Sequence, residues 1–132
     1  MQASDFKFQG FYTEAIDTFD QAIGIDAEYA AAYSGRGESY LSLGQHQRAI
    51  QDLDRAIKLY SEYADAYFFR GIAYGKLQSY QQAIQEFGKS IELNPTHVNS
   101  YVARSMTFKA LGQSFLEEQD SKKACELDRS LC

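Results

Sequence analysis

Positions 34 residues apart in this chain carry the same kinds of side chain, and no other feature limits the fold as much. Gly37 and Gly71 are followed at that step by Ser105, and Tyr40 and Tyr74 by Phe108. Ala15, Ala49 and Ala83 form another column, as do Phe19, Leu53 and Phe87, and Ala22, Ala56, Ser90 and Ala124. The rings Tyr33, Tyr67 and Tyr101 keep the same register. A fixed period of this length marks an array of like units, each too small to bury its own apolar face and each completed by its neighbours.

Inside a period the spacing is helical. Tyr67, Gly71 and Tyr74 lie at i, i+4 and i+7, and Ala83, Phe87 and Ser90 repeat that offset, so each period holds two amphipathic helices. Polar connectors join them: SLGQHQ at 42–47 and ALGQSF at 110–115 carry a glycine, whereas KLQSYQ at 76–81 does not. Breaker-rich links separate the periods, most clearly LNPTH at 93–97, where Pro95 ends one helix before the next begins. Small residues at Gly71 and Ala83 let two helices cross closely, with Tyr67, Tyr74 and Phe87 filling the space beside the crossing. Leucine or isoleucine there would overpack it, at roughly 1 to 3 kcal/mol. The pair Gly35 and Gly37 lies within a helix and reads as close packing of the same kind.

The run Tyr67-x-x-Arg70-Gly71-x-x-Tyr74, then Ala83-x-x-x-Phe87 and Pro95, resembles the tetratricopeptide repeat, with Tyr67 in the usual tryptophan column and Arg70 in the usual leucine column. Rival helical repeats of other lengths do not fit the step. The resemblance implies an all-α fold, a right-handed superhelical array of antiparallel helix pairs with about three and three-quarter repeats, over residues 1–132 as one array. Residues 1–29 are then a partial first repeat, with Phe6, Ala15, Phe19 and Ala22 in register, and 30–63, 64–97 and 98–131 are full repeats. In the last, Glu117, Glu118 and Ser121 occupy apolar columns, which reads as a polar capping helix at 114–128. The first helix is short by about a turn, and Phe6, Phe8 and Phe11 crowd that end. This suggests a truncated longer array or a surface that pairs with another copy.

Composition removes several classes. With 45% hydrophobic and 23% charged residues the chain is globular rather than disordered. A net charge of -5, with no basic run longer than Lys122 and Lys123, argues against nucleic acid and against anionic membrane surfaces. No window approaches the ~18 apolar residues of a membrane span, and MQASDFKFQG lacks the form of a secretory signal. Cys125 and Cys132 are the only cysteines, too few and too close for a secreted disulfide framework, and read as reduced thiols. The expected location is cytoplasmic.

No enzyme is legible. His46 and His97 are isolated, at a helix turn and in a link, where a solvated imidazole is the ordinary reading. No Cys/His spacing suits zinc, no glycine-rich loop suits a phosphate and no strand carries a nucleophile elbow. The acids fall mostly on outer helix faces beside basic residues or glutamine, as Asp52 does beside Arg55. Hence no catalytic residue, no metal and no cofactor is expected.

In the family resembled, the first helix of each pair faces a concave groove. The groove positions here include Ala31, Ser34, Glu38, Leu41 and Ser42, then Asp65, Phe68, Ile72, Gly75 and Lys76, then Asn99, Val102, Met106, Lys109 and Ala110. Phe68, Ile72, Val102 and Met106 make an apolar patch off the core stripe, flanked by Glu38 and Asp65 on one side and Lys76 and Lys109 on the other. Apolar clusters of this kind mark binding sites, although the same residues also serve to pack neighbouring first helices. The family's dicarboxylate clamp is not matched: carried onto the full repeats, its positions are Ser34, Glu38, Phe69, Asn99 and Ala103, none basic. Started one repeat earlier, the pattern meets Ser4, Gly35, Asp65 and Phe69. The resemblance therefore implies a non-catalytic protein-protein interaction module taking a peptide or amphipathic helix of a partner protein in the groove. The alternative is a structural, self-associating segment of a longer solenoid that uses the aromatic N-terminal edge.

Arg36, Arg70 and Arg104 form one more column, and Asp52, Glu86 and Asp120 another, each acid 16 residues after its arginine. Only Arg70 and Arg104 have an acid 18 residues before them, since the earlier member is Thr18, although Asp17 keeps bridging between repeats open for Arg36. A partly buried pair within each repeat would fix the helix register. The alternative use is to line the groove and catch acidic ligands.

Overall fold

The structure, a computed structural model, describes residues 3–132, with side chains from residue 9 onward. It contains seven α-helices among the described residues: α1 Ala3–Ile25, α2 Ala30–Ser42, α3 His46–Leu59, α4 Ala64–Lys76, α5 Tyr80–Leu93, α6 Val98–Ala110 and α7 Ser114–Leu127, followed by a 3₁₀ turn at Arg129–Leu131. No strand occurs among them, and the fold is an all-α helical repeat array. Two compact units are present, Met1–Glu62 with α1 to α3 and Tyr63–Cys132 with α4 to α7.

Each hairpin turns by the same device. At Gly44, Gln78 and Gly112 the backbone takes a positive φ, of 77°, 63° and 71°. The next residue's N–H then reaches back over the helix end: Gln45 to Tyr40 O at 2.8 Å, Ser79 to Tyr74 O and Gln113 to Phe108 O at 2.9 Å. This satisfies carbonyls that the helix terminus leaves open. The first turns have less help, because the residues preceding α2 to α5 and α7 make no side-chain cap. Packing of the apolar faces therefore carries most of the helical stability.

That packing explains the glycine column. A Cβ on Gly71 would lie 2.6 Å from Phe87 Cε1, and one on Gly37 would lie 2.9 Å from Leu53 Cγ, so the helices approach where only hydrogen fits. In the last pair the ring and leucine give way to Ser121, and Ser105 stands in the glycine column. Its Oγ donates to Glu117 O at 3.0 Å and lies 2.6 Å from Ser121 Oγ. The lost side-chain volume on one helix is matched by a gained hydroxymethyl on the other. Gly35 takes the Phe19 ring of α1 in the same manner. In the C-terminal unit, Ala83, Phe87 and Ala103 form one core cluster, with Phe68, Ile72 and Tyr74 packed against it.

Tyrosine in the tryptophan column has a local reason as well. Tyr33 donates its hydroxyl to Ala27 O at 3.0 Å and Tyr101 donates to Pro95 O at 3.1 Å. Each phenol oxygen thus holds the link that precedes its helix.

Two features differ from what the sequence alone brings to mind. The partial first repeat expected at 1–29, with its first helix short by about a turn, is a single helix, α1, unbroken from Ala3 to Ile25. Gly10 stands in the column of Gly44, Gln78 and Gly112 but is helical, and a Cβ placed on it would meet nothing within 4 Å. Among the described residues nothing packs on Gly10 to hold a turn there, and continuing the helix satisfies the backbone most simply. Phe6 and Phe8, counted with Phe11 as an aromatic edge, lie outside the residues whose side chains are described. The second correction concerns the cysteines, which are disulfide-bonded with Cα atoms 4.9 Å apart. After α7 the chain doubles back through the 3₁₀ turn, where Asp128 Oδ1 accepts from Ser130 N and Oγ, and this brings Cys132 to Cys125 within ordinary disulfide reach. The reduced-thiol reading falls, and with it the argument for a reducing compartment. Among the described residues no helix is long and apolar enough to cross a membrane.

Candidate interaction surface

On α4 and α6, which touch one another, the side chains off the core stripe are presented unequally. Phe68, Ile72 and Val102 are half-buried, and Phe68 and Ile72 share themselves with the core. Phe68 lies 5.2 Å from the Phe69 ring and 6.0 Å from the Phe87 ring. Met106 is 68% exposed. Asp65, Lys76, Asn99 and Lys109 are exposed on the same two helices, and Glu38 is exposed on α2. Ser34 is a correction: it is only 3% exposed and offers nothing to a ligand. Its spacing matches the groove positions, but how much packs over a small side chain is decided by tertiary contacts that spacing does not report.

His97 was invisible as anything but a solvated link residue, and that reading is also overturned. Its side chain is 11% exposed, with Nε2 2.8 Å from Asp65 Oδ1 on α4. Nδ1 accepts from Ser100 N at 3.3 Å and so caps α6, which places the ring proton on Nε2, donated to Asp65. Ser100 Oγ lies 2.9 Å from Nδ1 and 2.9 Å from Ser90 Oγ. Carboxylate, imidazole and hydroxyl thus stand in a row, but Ser100 is fully buried, so its hydroxyl meets no solvent and the row serves packing. The ring also lies 5.2 Å from that of Phe68, tilted 47° against it, tying the start of α6 to the face of α4. The signal in the sequence was position alone: a histidine directly before a helix, 32 residues after an acid.

The arginine column is bound edge-on. Arg36 Nε and Nη2 donate to Asp52 at 2.9 and 2.7 Å, Arg70 to Glu86 at 2.8 and 3.0 Å, and Arg104 to Asp120 at 2.8 and 2.9 Å. Each bridge joins the two helices of one hairpin, and each guanidinium lies over the ring of its own column's tyrosine: Tyr33 at 5.6 Å, Tyr67 at 5.3 Å and Tyr101 at 6.0 Å. A planar, forked cation is needed to satisfy both contacts. The arginine side chains are 18 to 24% exposed, so the pairs are partly desolvated. Hydrogen bonding to Asp52 holds Arg36 above the ordinary arginine value against the opposing effect of burial, with Asp20 adding to it. Asp120 does the same for Arg104. Asp20, whose Oδ1 accepts from Arg36 Nη1 at 2.8 Å, was missed by sequence reasoning. Its signal was available, since Asp20 and Asp54 are 34 apart and Asp20 lies 16 before Arg36.

Among the described residues no group of three or more His, Cys, Asp or Glu is placed to hold a metal ion. The described residues offer a repeating scaffold and, on it, a mixed apolar and charged face.

Comparison with known proteins agrees with that scaffold. The tetratricopeptide repeat family profile matches residues 1–63 and 36–97. Among curated proteins no match is found. Among solved structures, MamA is similar with a TM-score of 0.82 and 28% identity, over 92% of this chain and 71% of that one. The first TPR of Spaghetti (RPAP3), bound to the HSP90 peptide SRMEEVD, is similar with a TM-score of 0.74 and 27% identity, over 83% of this chain and 86% of that one. MamA from Desulfovibrio magneticus RS-1 shares the fold at a TM-score of 0.81 and 21% identity, over 92% and 68% of the two chains. This chain spans 66 to 71% of the MamA chains it resembles, about two thirds. With its columns of glycine, tyrosine and alanine set into helical hairpins, and with the family profile matched across residues 1–97, the chain belongs to the tetratricopeptide repeat family.

Proposed function

We propose that this chain is a non-catalytic protein-interaction module that binds a peptide or helix of a partner protein on the first-helix face of α4 and α6, anchored by Phe68, Ile72, Val102 and Met106. The observation that carries this reading is Met106, an apolar side chain left 68% exposed beside three half-buried ones. Peptide binding by the first TPR of Spaghetti supports the use of such a scaffold for peptides. The ligand class differs from a clamped C-terminal dicarboxylate, because Ser34, Glu38, Phe69, Asn99 and Ala103 include no cation. The asymmetric charges, Asp65 at one end of the face and Lys76 and Lys109 at the other, give a bound segment a direction.

The test is capture of partners with wild type and with Phe68→Ala plus Met106→Ala, with circular dichroism to confirm that the variant is folded. Truncating two anchors is expected to weaken a specific partner at least about tenfold. A captured partner whose affinity is unchanged by both substitutions removes the assignment. A second reading, self-association through α1, is supported by Phe11, which is 66% exposed.

A further inference from the structure

The segment after α7 is built like the links inside the array, but a covalent bond holds it. Asp26, Asn94 and Asp128 share one column, directly after α1, α5 and α7. In each, the side-chain oxygen accepts from the N–H two residues on, of Glu28, Thr96 and Ser130. Leu131 falls in the column of Tyr29, Tyr63 and His97, the residues directly before α2, α4 and α6. Before α2 and α6 a tyrosine of the following helix holds a carbonyl of the link, Tyr33 on Ala27 O and Tyr101 on Pro95 O. After α7 the tether is the bond between Cys125 and Cys132. Both cysteines stand in columns that are apolar elsewhere, Ile23, Ile57 and Ile91 for the first and Ala30, Ala64 and Val98 for the second, so only this link can be opened and closed by thiol chemistry.

The bond is also placed to be reached. Cys132 is exposed and Cys125 half-buried, and exposed disulfides are the readily reduced ones. With the two residues only 7 apart in sequence, the bridge restricts the unfolded chain less than a long one would. What it fixes is local: Leu131, which lines a hollow of about 260 Å³ between α6 and α7 whose other walls include Met106 and Ala124.

We propose that Cys125 and Cys132 form a reversible redox site, with Cys132 the sulfur attacked by an incoming dithiol, and that reduction releases Leu131 from the face of α6 and α7. A thiolate of the dithiol bonds to Cys132 Sγ, and the electron pair of the broken S–S bond leaves with Cys125 Sγ, which takes a proton. The second thiol of the same dithiol then displaces Cys132. Two electrons and two protons have passed to the protein, and the dithiol departs as its disulfide.

Met106 is one of two methionines, so its ¹³C-labelled methyl resonance, assigned with Met106→Leu, reports the α6 and α7 face. Dithiothreitol in native buffer is the probe, with alkylation by iodoacetamide and mass measurement to count thiols. Two thiols are expected to appear within minutes while circular dichroism stays that of the folded protein, and the Met106 methyl is expected to shift and to return on reoxidation. The double variant Cys125→Ser with Cys132→Ser should show the reduced spectrum without reductant, and Leu131→Ala should move the same resonance with the bond intact. With glutathione disulfide, the Cys125→Ser variant should be modified at Cys132 about tenfold faster than the Cys132→Ser variant is at Cys125, because the thiols differ in exposure. Equal rates overturn Cys132 as the attacked sulfur. Thiols that appear only in urea overturn the redox site and make the bond a structural staple. Reduction that leaves the Met106 methyl unmoved overturns the release of Leu131.

Discussion

Arg104 holds one carboxylate where Arg36 holds two. Arg36 spends Nε and Nη2 on Asp52 and Nη1 on Asp20, and in the column of Asp20 the third hairpin meets Gly88 instead. A Cβ built on Gly88 would lie 3.7 Å from Arg104 Nη1, an ordinary contact with room beyond it. Gly88→Asp should therefore supply the missing acceptor. It also replaces glycine inside α5, worth a few tenths of a kcal/mol in propensity, and adds a partly exposed pair worth about 0.2 to 1 kcal/mol. The expected gain is about 0.5 to 1 kcal/mol in urea unfolding. Gly88→Asn has the same propensity without the charge, so the difference between the two variants isolates the pair. Equal midpoints for Asp and Asn would show that Nη1 is better left to water.

At the scale of the element, the hairpin turns differ in one residue. Gln78 adopts the left-handed conformation that glycine takes at Gly44 and Gly112, at a cost of roughly 1 to 2 kcal/mol for a residue with a Cβ. Gln78→Gly removes that cost but gives up some unfolded-state restriction. A net gain of about 0.5 to 1 kcal/mol is expected, read as a higher Tm with the same hairpin contacts, and a loss of stability would show that the Gln78 side chain holds the turn. This irregularity was legible in KLQSYQ, since turns of this type state their requirement in one residue. The unbroken α1 was not legible, because Gly10 satisfies the same local requirement and the outcome depended on what packs beside it. The helix pairs and their close crossings could be read for the converse reason: a contact repeated at every period leaves a column, as Gly71 and Phe87 do. Contacts made once leave none. The His97 cap, the Cys125 and Cys132 bond and the burial of Ser34 each depend on where the chain returns in space, so spacing alone misread all three.

For the molecule as a whole, the open question is whether apolar surface is kept for another protein or for a second copy. The N-terminal unit leaves Phe11 and Ile25 exposed on α1, which is the surface that self-association would use, while the C-terminal unit carries the α4 and α6 face. Association through α1 is a mass-action equilibrium, so its signature is a sedimenting mass that rises with concentration. On the partner-binding reading, the chain sediments as a monomer from about 1 to 100 μM, a range wide enough to reveal an interface of micromolar strength. Phe11→Ser then leaves the profile unchanged, because an exposed ring on a helix surface contributes little to folding. A mass that climbs toward a dimer and is returned to the monomer by Phe11→Ser would transfer the function to self-assembly. The α4 and α6 variants separate the two surfaces in the same instrument: Met106→Ala should not alter a dimer built on α1, and a dimer that does respond to it would place the second copy on the face assigned here to a partner.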